Sequence, residues 1–299
     1  MLAGEIHITN LPRELQPEAI ERGKAVLEST NPAAQITANF NGLYMRTNDE
    51  AFNPGLPWVD IRVREAMNRA LDREQLIDVV YEGRAAPMAV FGMTPNNEGY
   101  VAELEQRFEA MYGYDPARAE ELLAEAGYPD AFADPVIPIV VAQISGNPEL
   151  TLVSELMQVF FEEVGLETEL REMDWAAMNA MGRGRQAYVV NPNRQAPIRP
   201  TEPFLQTRYT TEGSPNGGYE TDQIQALTEA LAATVDREER AGIAAEAYTY
   251  LFENYVEMPI AAINAEVTVD PEVVAEWPFP GVTAGGMSHW HLIVPAGES

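Results

Sequence analysis

The sequence contains no cysteine, and Lys24 is its only lysine among 299 residues. Without cysteine the chain has no disulfide, no thiolate ligand for zinc and no cysteine nucleophile. Long hydrophobic runs are absent as well: the apolar stretch at residues 136–142 is short and contains Pro138. A membrane-spanning helix needs roughly 20 apolar residues, so the sequence predicts none.

Basic residues are scarce, with 19 Lys and Arg against 47 Asp and Glu, which gives a formal net charge of −28. Nucleic-acid binding is therefore not expected, because a phosphate backbone requires a basic surface. The acidity fits a well-solvated surface, with attraction of cationic solutes as the alternative. A hydrophobic content of 46% is sufficient for a packed core in one large domain or two ordinary ones.

Short apolar runs alternate with helix signals, which is typical of an α/β protein. Several helices have an Asp or Thr at the position of the N-cap, and Asp115 is followed by Pro116 at the first helical position. The proline-rich residues 191–203 are predicted to be a loop. The spacing predicts helices beginning at Asp60, Asp72, Asp115, Asp174, Thr221 and Asp236, a helix over 152–164, and strands over 136–142, 166–170, 187–190 and 258–263.

Two long strings carry a resemblance to a known family. Residues 53–77 read NPGLPWVDIRVREAMNRALDREQLI, and residues 112–129 read YGYDPARAEELLAEAGYP. Both are similar to segments of the family 5 extracellular solute-binding proteins, the peptide, nickel and oligosaccharide receptors of ABC importers. Fainter similarity extends over residues 2–8, 40–48 and 219–227.

The resemblance implies the type II periplasmic-binding-protein fold, an α/β fold in which two lobes close over the ligand. It places part of lobe one and a first crossover at residues 1–42, lobe two at 43–263, and a second crossover with a return to lobe one at 264–299. Most of lobe one would then lie outside these residues. A fragment, a misassigned start and a split receptor all remain open as explanations.

The function implied is capture of a small solute, such as a peptide, an oligosaccharide or another polar ligand, and its delivery to ABC permease subunits. The expected location is periplasmic or otherwise extracytoplasmic, and the expected state is a monomer without cofactor or catalytic activity. Residues 1–8 lack the basic and apolar regions of a signal peptide, so no signal peptide is expected in this chain. Ligand would close the lobes by hinge motion near Gly42 and Ile263, and the isolated chain would bind weakly or not at all.

The candidate ligand-binding residues lie mainly in the proline-rich segment. Peptide receptors of this family often have a tryptophan and an early aspartate there, and this sequence has neither, which weakens a peptide as the ligand. Arginine suits carboxylate, phosphate or polar sugar, although pairing with Glu202 or exposure to solvent is the alternative. Asparagine both donates and accepts, and tyrosine can stack on a ligand. The candidates are Tyr44, Asn191, Asn193, Arg194, Arg199 and Tyr219.

Other site types are less favoured. His289 and His291 have the spacing of two ligands on one strand face but no third ligand nearby, so no metal is expected. No phosphate loop, nucleophile elbow or calcium loop occurs. An α/β enzyme with unrecognised catalytic groups and an interaction domain remain as alternatives. Trp175 is predicted to pack in the core.

Overall fold

The structure, a computed structural model, describes residues 5–44, 55–128, 132–143, 149–184, 187–195, 200–211, 219–278 and 289–297. Helices and strands alternate along the chain, which confirms the predicted α/β class. The helices are α1 Gln16–Glu21, α2 Ile61–Arg69, α3 Arg73–Tyr81, α4 Ala102–Tyr112, α5 Pro116–Glu125, α6 Glu149–Glu163, α7 Trp175–Arg183, α8 Thr201–Tyr209, α9 Asp222–Ala233 and α10 Arg237–Glu253. The strands are β1 Ile8–Thr9, β2 Ala25–Phe40, β3 Leu43–Tyr44, β4 Phe132–Gln143, β5 Leu166–Asp174, β6 Val190–Gln195, β7 Tyr219–Glu220, β8 Glu257–Val269, β9 Val274–Glu276 and β10 Val294–Pro295.

The predicted helix starts are confirmed by their capping hydrogen bonds. Asp72 accepts a bond from the backbone N–H of Gln75 at 2.9 Å, and Asp115 accepts one from Arg118 at 3.0 Å. Asp60, Asp174, Thr221 and Asp236 cap their helices in the same way. Each of these bonds satisfies an amide that the first helical turn leaves without a partner, so a local sequence pattern is enough to place the helix start.

The chain forms two compact units. Unit 1 comprises Met1–Gln35, Ala196–Ile198 and Ala262–Ser299, and unit 2 comprises Ile36–Gln195 and Arg199–Ala261. Strands β2 and β8 each contain a boundary between the units. The assignment of these units to the lobes of a receptor stays a prediction.

In unit 1, β1 pairs antiparallel with the end of β8, with Ile8 opposite Val269. A small hydrophobic cluster lies beside this pairing and consists of Val267, Val269, Val274 and Trp277. The indole ring of Trp277 stacks on that of Trp290, with the ring centroids 5.0 Å apart. Two ion pairs, Arg13 with Glu266 and Lys24 with Asp270, add polar contacts.

Unit 2 is built on a sheet in which the strands follow the order β8-β2-β6-β4-β5. Strands β4 and β5 are parallel, with Ile139 opposite Leu170, and Ile139 also pairs with Val190 of β6. Helix α6 packs against this region, and its Ser154 hydroxyl donates to the carbonyl of Val140 at 2.9 Å. Strand β6 lies between β2 and β4 in the sheet, and its first four residues, 190–193, are buried.

The loop prediction for residues 191–203 is wrong at both ends. Residues 191–195 continue strand β6, and α8 begins at Thr201. The strand predicted over residues 187–190 is also wrong for most of its length. Residues 187–189 are not part of a strand, and only Val190 is. Pro192 lacks the amide hydrogen that a strand ladder uses, which is why the segment resembles a loop in sequence. Burial between two neighbouring strands outweighs that local preference.

Membrane spans are not found: no helix in the described ranges is both long enough and apolar enough to cross a bilayer.

Candidate functional site

Three strand ends of unit 2 meet around residues 41–44. Strand β3 pairs in parallel with β7, which places Leu43 opposite Tyr219 and Tyr44 opposite Glu220. One residue before Gly42, the amide of Asn41 donates to the carbonyl of Val189 at 3.0 Å, at the entry to β6. The backbone therefore brings together the segments that carry three of the predicted site residues, namely Tyr44, Asn191 and Tyr219.

Gly42 allows this close approach. Its φ is +111°, in the region that favours glycine, and a Cβ atom there would lie 2.5 Å from Cδ1 of Leu56 and 2.8 Å from Cδ1 of Tyr188. Any larger residue would displace one of these side chains. The glycine is thus required both by its backbone conformation and by its neighbours.

Asn191 is 1% exposed, and neither its Oδ1 nor its Nδ2 has a hydrogen-bond partner among the residues that the structure describes. The Oδ1 of Asn41, a residue that is 2% exposed, also lacks a partner there. Burying a polar group without a hydrogen bond costs about 1–3 kcal/mol. Such groups are rare in native structures, and each one points to a specific cause, such as a functional site or a bound water.

Asn193 and Arg194 follow on the same strand. Asn193 is buried, and Arg194 is partly buried with its Nη1 2.8 Å from Oε1 of Glu149 at the start of α6. Arg194 therefore contacts the carboxylate of Glu149, a partner that the sequence did not suggest. Arg199 lies outside the described residues. A role in ligand binding for these residues stays a prediction.

Tyr219 is buried and belongs to a chain of hydroxyl groups. Its Oη lies 3.3 Å from Oη of Tyr250, which lies 3.0 Å from the Thr221 hydroxyl. The guanidinium of Arg64 lies 5.7 Å from the centroid of the Tyr219 ring. Burial raises the pKa of Tyr219, and the positive charge of Arg64 opposes that rise. The ring is therefore packed within unit 2 in this structure, so stacking on a ligand would require it to move.

A buried ion pair holds the helix that follows β6. Nη2 of Arg208 in α8 lies 2.7 Å from Oε1 of Glu257, and the Tyr209 hydroxyl donates to the same oxygen at 2.7 Å. The other oxygen of Glu257 accepts from the Thr37 hydroxyl at 3.1 Å, and Arg208 also donates to Asn39 at 2.7 Å. Residues of β2 and β8 thereby anchor α8.

This anchor is deeply buried. The side chains of Arg208 and Glu257 are 3% and 6% exposed, and the guanidinium lies 4.5 Å from the centroid of the Phe91 ring. The attraction of Glu257 raises the pKa of Arg208 even though burial acts in the opposite direction. The pair joins the last turn of α8 to the start of β8.

Sequence reasoning missed Asn41, Glu220 and the pair of Arg208 with Glu257. Only Asn41 gave a local signal, because it precedes Gly42 in an Asn-Gly step of the kind found where a strand ends. The ion pair joins residues 49 positions apart and has no local signature.

Two further predictions have clear outcomes. The prediction that Trp175 packs in the core is wrong, because the side chain is 41% exposed at the first residue of α7. His289 and His291 are exposed, with ring centroids 5.7 Å apart, and neither lies on a strand: His289 is the N-cap of a short 3-10 helix, Trp290–Leu292, that contains His291. Within the described ranges, no three His, Cys, Asp or Glu residues are grouped so that they could hold a metal ion.

Comparison with known families identifies the class of protein. Residues 1–216 match the family described as bacterial extracellular solute-binding proteins, family 5 (middle). This match covers well over half of the chain, so the chain belongs to this family. Its members are solute-binding proteins, extracellular or periplasmic, and the resemblance noted in the sequence is confirmed.

Curated relatives match only in part. The chain is similar to heme-binding protein A of Haemophilus influenzae, with 31% identity over 151 residues that cover 49% of this chain and 25% of that protein. It is also similar to a dipeptide-binding protein of Pseudomonas aeruginosa, with 28% identity over 173 residues, 58% of this chain and 29% of that protein. The matches thus span about a quarter to a third of the relatives' length.

A solved structure agrees over nearly all of the chain. The ABC transporter substrate binding protein CtaP of Listeria monocytogenes matches with a TM-score of 0.79 at 19% identity, covering 98% of this chain and 57% of that one. The fold is therefore the α/β type II fold of periplasmic binding proteins, as predicted. The chain spans little more than half the length of that structure.

Proposed function

We propose that this chain is the solute-binding component of an ABC importer, which captures a small solute and delivers it to permease subunits in the membrane. The observation that carries the proposal is membership of the solute-binding family over residues 1–216. The buried asparagines at the end of β2 and the start of β6 support it, because ligand sites combine a few precisely placed polar groups with mostly apolar surroundings.

The solute is proposed to be a peptide, an oligosaccharide or another polar molecule. One relative is named for dipeptide binding and another for heme binding, so the family tolerates different ligands. The segment after Val190 has two asparagines and an arginine where an early aspartate would suit the amino group of a peptide. A buried ammonium without a carboxylate partner is costly, so a neutral solute is favoured over the free amino terminus of a peptide at this position.

Transport without catalysis is the proposed mode of action, in the periplasm or another extracytoplasmic space and as a monomer. Ligand would shift an equilibrium between open and closed forms, with hinge motion near Gly42 and Ile263. A ligand can shift such an equilibrium only by its difference in affinity for the two forms. Binding by the 299-residue chain alone is expected to be weak.

Thermal denaturation of the purified chain with trialanine, maltotriose and hemin, each tested separately, examines this proposal. A solute that binds only the native state raises the melting temperature with concentration. We expect a rise with one of them at millimolar concentration, and the solute recovered unchanged. Conversion of the solute would favour the enzyme alternative, whereas no rise with any of the three would count against solute binding and favour an interaction domain.

A further inference from the structure

The two asparagines with unpartnered side-chain atoms belong to neighbouring strands. Asn41 directly follows β2 and Asn191 lies in β6, and these strands are adjacent in the sheet. The backbone bond from Asn41 to Val189 joins the two segments two residues before Asn191. The three unpartnered atoms thus belong to two segments that a backbone hydrogen bond joins, where β2 has ended and β6 begins.

A third buried asparagine shows that this situation is not general in the fold. Asn68 is fully buried, and its Nδ2 donates to the carbonyls of Arg64 at 3.0 Å and of Glu257 at 3.3 Å. Its Oδ1 accepts from Nη2 of Arg73 at 2.8 Å. The side-chain oxygen and nitrogen of Asn68 both have hydrogen-bond partners, whereas neither of these atoms in Asn191 has one in the described part of the chain. The contrast assigns different roles to two residues of the same type and burial.

The unpartnered atoms define the chemistry of the missing group. The Oδ1 atoms of Asn41 and Asn191 can only accept, and the Nδ2 of Asn191 can only donate. A complementary group must therefore donate and accept hydrogen bonds and carry no net charge, because two neutral amides do not compensate a buried charge. An amide and a pair of hydroxyl groups both meet this requirement.

We infer that Asn191 and Asn41 form a subsite for a neutral solute group that both donates and accepts hydrogen bonds. The inference rests on the proposed function and adds the ligand chemistry and the residue Asn41 to it. Glu220 is buried and lies opposite Tyr44, three residues after Asn41, in the β3–β7 pair. A cationic solute that used this carboxylate is the competing outcome.

Access to the subsite requires a movement, because the three atoms are closed to solvent. The side chains of Leu56 and Tyr188 lie against Gly42, the residue after Asn41, and Tyr188 is only partly buried. Tyr188 precedes Val189, whose carbonyl accepts from Asn41, so we expect displacement of its side chain to open the subsite. We expect Tyr188→Ala to accelerate association of the solute without removing the subsite.

The test uses the whole chain labelled with 15N-asparagine, so that side-chain amide signals are followed directly by NMR. Asn191→Leu and Asn41→Leu assign the two signals by their loss. N-acetyl-dialanine methylamide supplies amides without charged ends, maltotriose supplies hydroxyl groups, malonate only accepts and putrescine only donates. We expect the capped peptide or maltotriose to shift both signals, and the one that does so identifies whether amides or hydroxyl groups are recognised. Malonate and putrescine should leave both signals unchanged.

The variants supply the decisive comparison. Asn191→Leu is expected to weaken binding of the active probe by about tenfold or more, as loss of hydrogen bonds in a buried site does. It should not lower the melting temperature, because it removes a polar group that has no partner, whereas Asn68→Leu should lower it clearly.

The outcomes separate the inference from the proposed function. If a probe binds but leaves both signals and the Asn191→Leu affinity unchanged, the subsite is refuted and the receptor function stands. If putrescine shifts the signals, the region binds a cationic solute, as expected for recognition by the Glu220 carboxylate, and the neutral subsite is refuted. If none of the probes binds at all, the proposed function fails together with the inference.

Discussion

Unit 1 and unit 2 differ in how deeply they bury their ion pairs and their large hydrophobic side chains. In the described residues, unit 2 contains a fully buried ion pair and an extensive aromatic core, whereas the ion pairs of unit 1 are partly open to solvent. Unit 1 is much the smaller, yet it carries six of the thirteen exposed large hydrophobic side chains: Ile6, Leu15, Ile20, Val273, Trp290 and Leu292. Stability is therefore concentrated in unit 2, which also carries the candidate site.

The same difference appears in the aromatic residues. All twelve tyrosines of the sequence lie in the range of unit 2, while the tryptophans are divided equally between the units. Tyr112, for example, donates to the carbonyl of Phe252 at 2.6 Å and packs against Phe108, Phe252 and Tyr255. A large core can satisfy buried tyrosine hydroxyls, and a small one has few carbonyls to offer.

The largest effect is expected from the buried ion pair of unit 2. Glu257→Gln leaves the charge of Arg208 buried without its counter-ion and should lower the free energy of unfolding by about 3–5 kcal/mol. The matched change in unit 1 is Glu266→Gln, whose partner Arg13 is 24% exposed, and it should cost about 1 kcal/mol. Urea denaturation followed by circular dichroism measures both, and equal losses would contradict the comparison.

Two glycines provide the next comparison. Gly42→Ala in unit 2 combines an unfavourable φ with contacts to Leu56 and Tyr188, and should cost about 3 kcal/mol. Gly23→Ala in unit 1 also has a positive φ, +78°, but no atom within 4 Å of the new methyl group. Its cost should be about 1 kcal/mol, from the backbone alone. Thermal denaturation distinguishes the two, and a larger loss for Gly23→Ala would be contrary to this packing argument.

Alkaline pH should destabilise unit 2 first. Burial raises the pKa of Tyr248 and of Tyr255 to about 12, so both keep their protons in the native state at pH values where unfolded tyrosine loses them. Their contribution is complete below pH 10 and is lost as pH rises toward 12, which amounts to about 2 kcal/mol for the fully buried Tyr248.

Two buried arginines act in the opposite direction. Burial lowers the pKa of Arg64, and it lowers that of Arg73 to about 10, so the cost of burying their charges is relieved as pH rises. The buried tyrosines with raised pKa outnumber these arginines, since Tyr112, Tyr209 and Tyr219 are shifted in the same direction as Tyr248. Absorbance at 295 nm measures tyrosine ionisation, and circular dichroism measures the loss of structure, both between pH 9 and 12. Ionisation of the buried tyrosines without loss of structure would contradict the predicted destabilisation at alkaline pH.

The smallest effects are expected at exposed ion pairs in both units. Arg118 contacts Glu121 and Glu125 on α5 of unit 2, and Arg22 contacts Glu18 on α1 of unit 1. Alanine at either arginine should leave the free energy of unfolding almost unchanged, because solvent screens these charges. A clear loss of stability at only one of them would reveal a difference between the unit surfaces that burial does not explain.

Much of the secondary structure was predictable because its causes are local. The caps at Asp72 and Asp115 act on amides three residues away, so the pattern that predicts them is also the physical cause. Strand β6 was not predictable in the same way, because Pro192 and two asparagines disfavour a strand. Its pairing between β2 and β4, which are distant in sequence, outweighs that local preference.

The candidate site was predictable only as a set of residue types. Asn191 and Tyr219 are candidates because of what their side chains can do, and the backbone pairings bring their segments together around residues 41–44. Their burial, the contact of Arg194 with Glu149 and the involvement of Asn41 all depend on strands far apart in sequence. No window of the sequence contains that information.

The sequence by itself determined the helix starts, the α/β class and membership of the solute-binding family, because capping patterns and family segments are contiguous in the chain. The tertiary structure alone decided which polar side chains are buried, which of them have partners and which do not. The physical reason is that a hydrogen bond in the core is completed by residues from other elements, and only their packing brings donor and acceptor within about 3 Å.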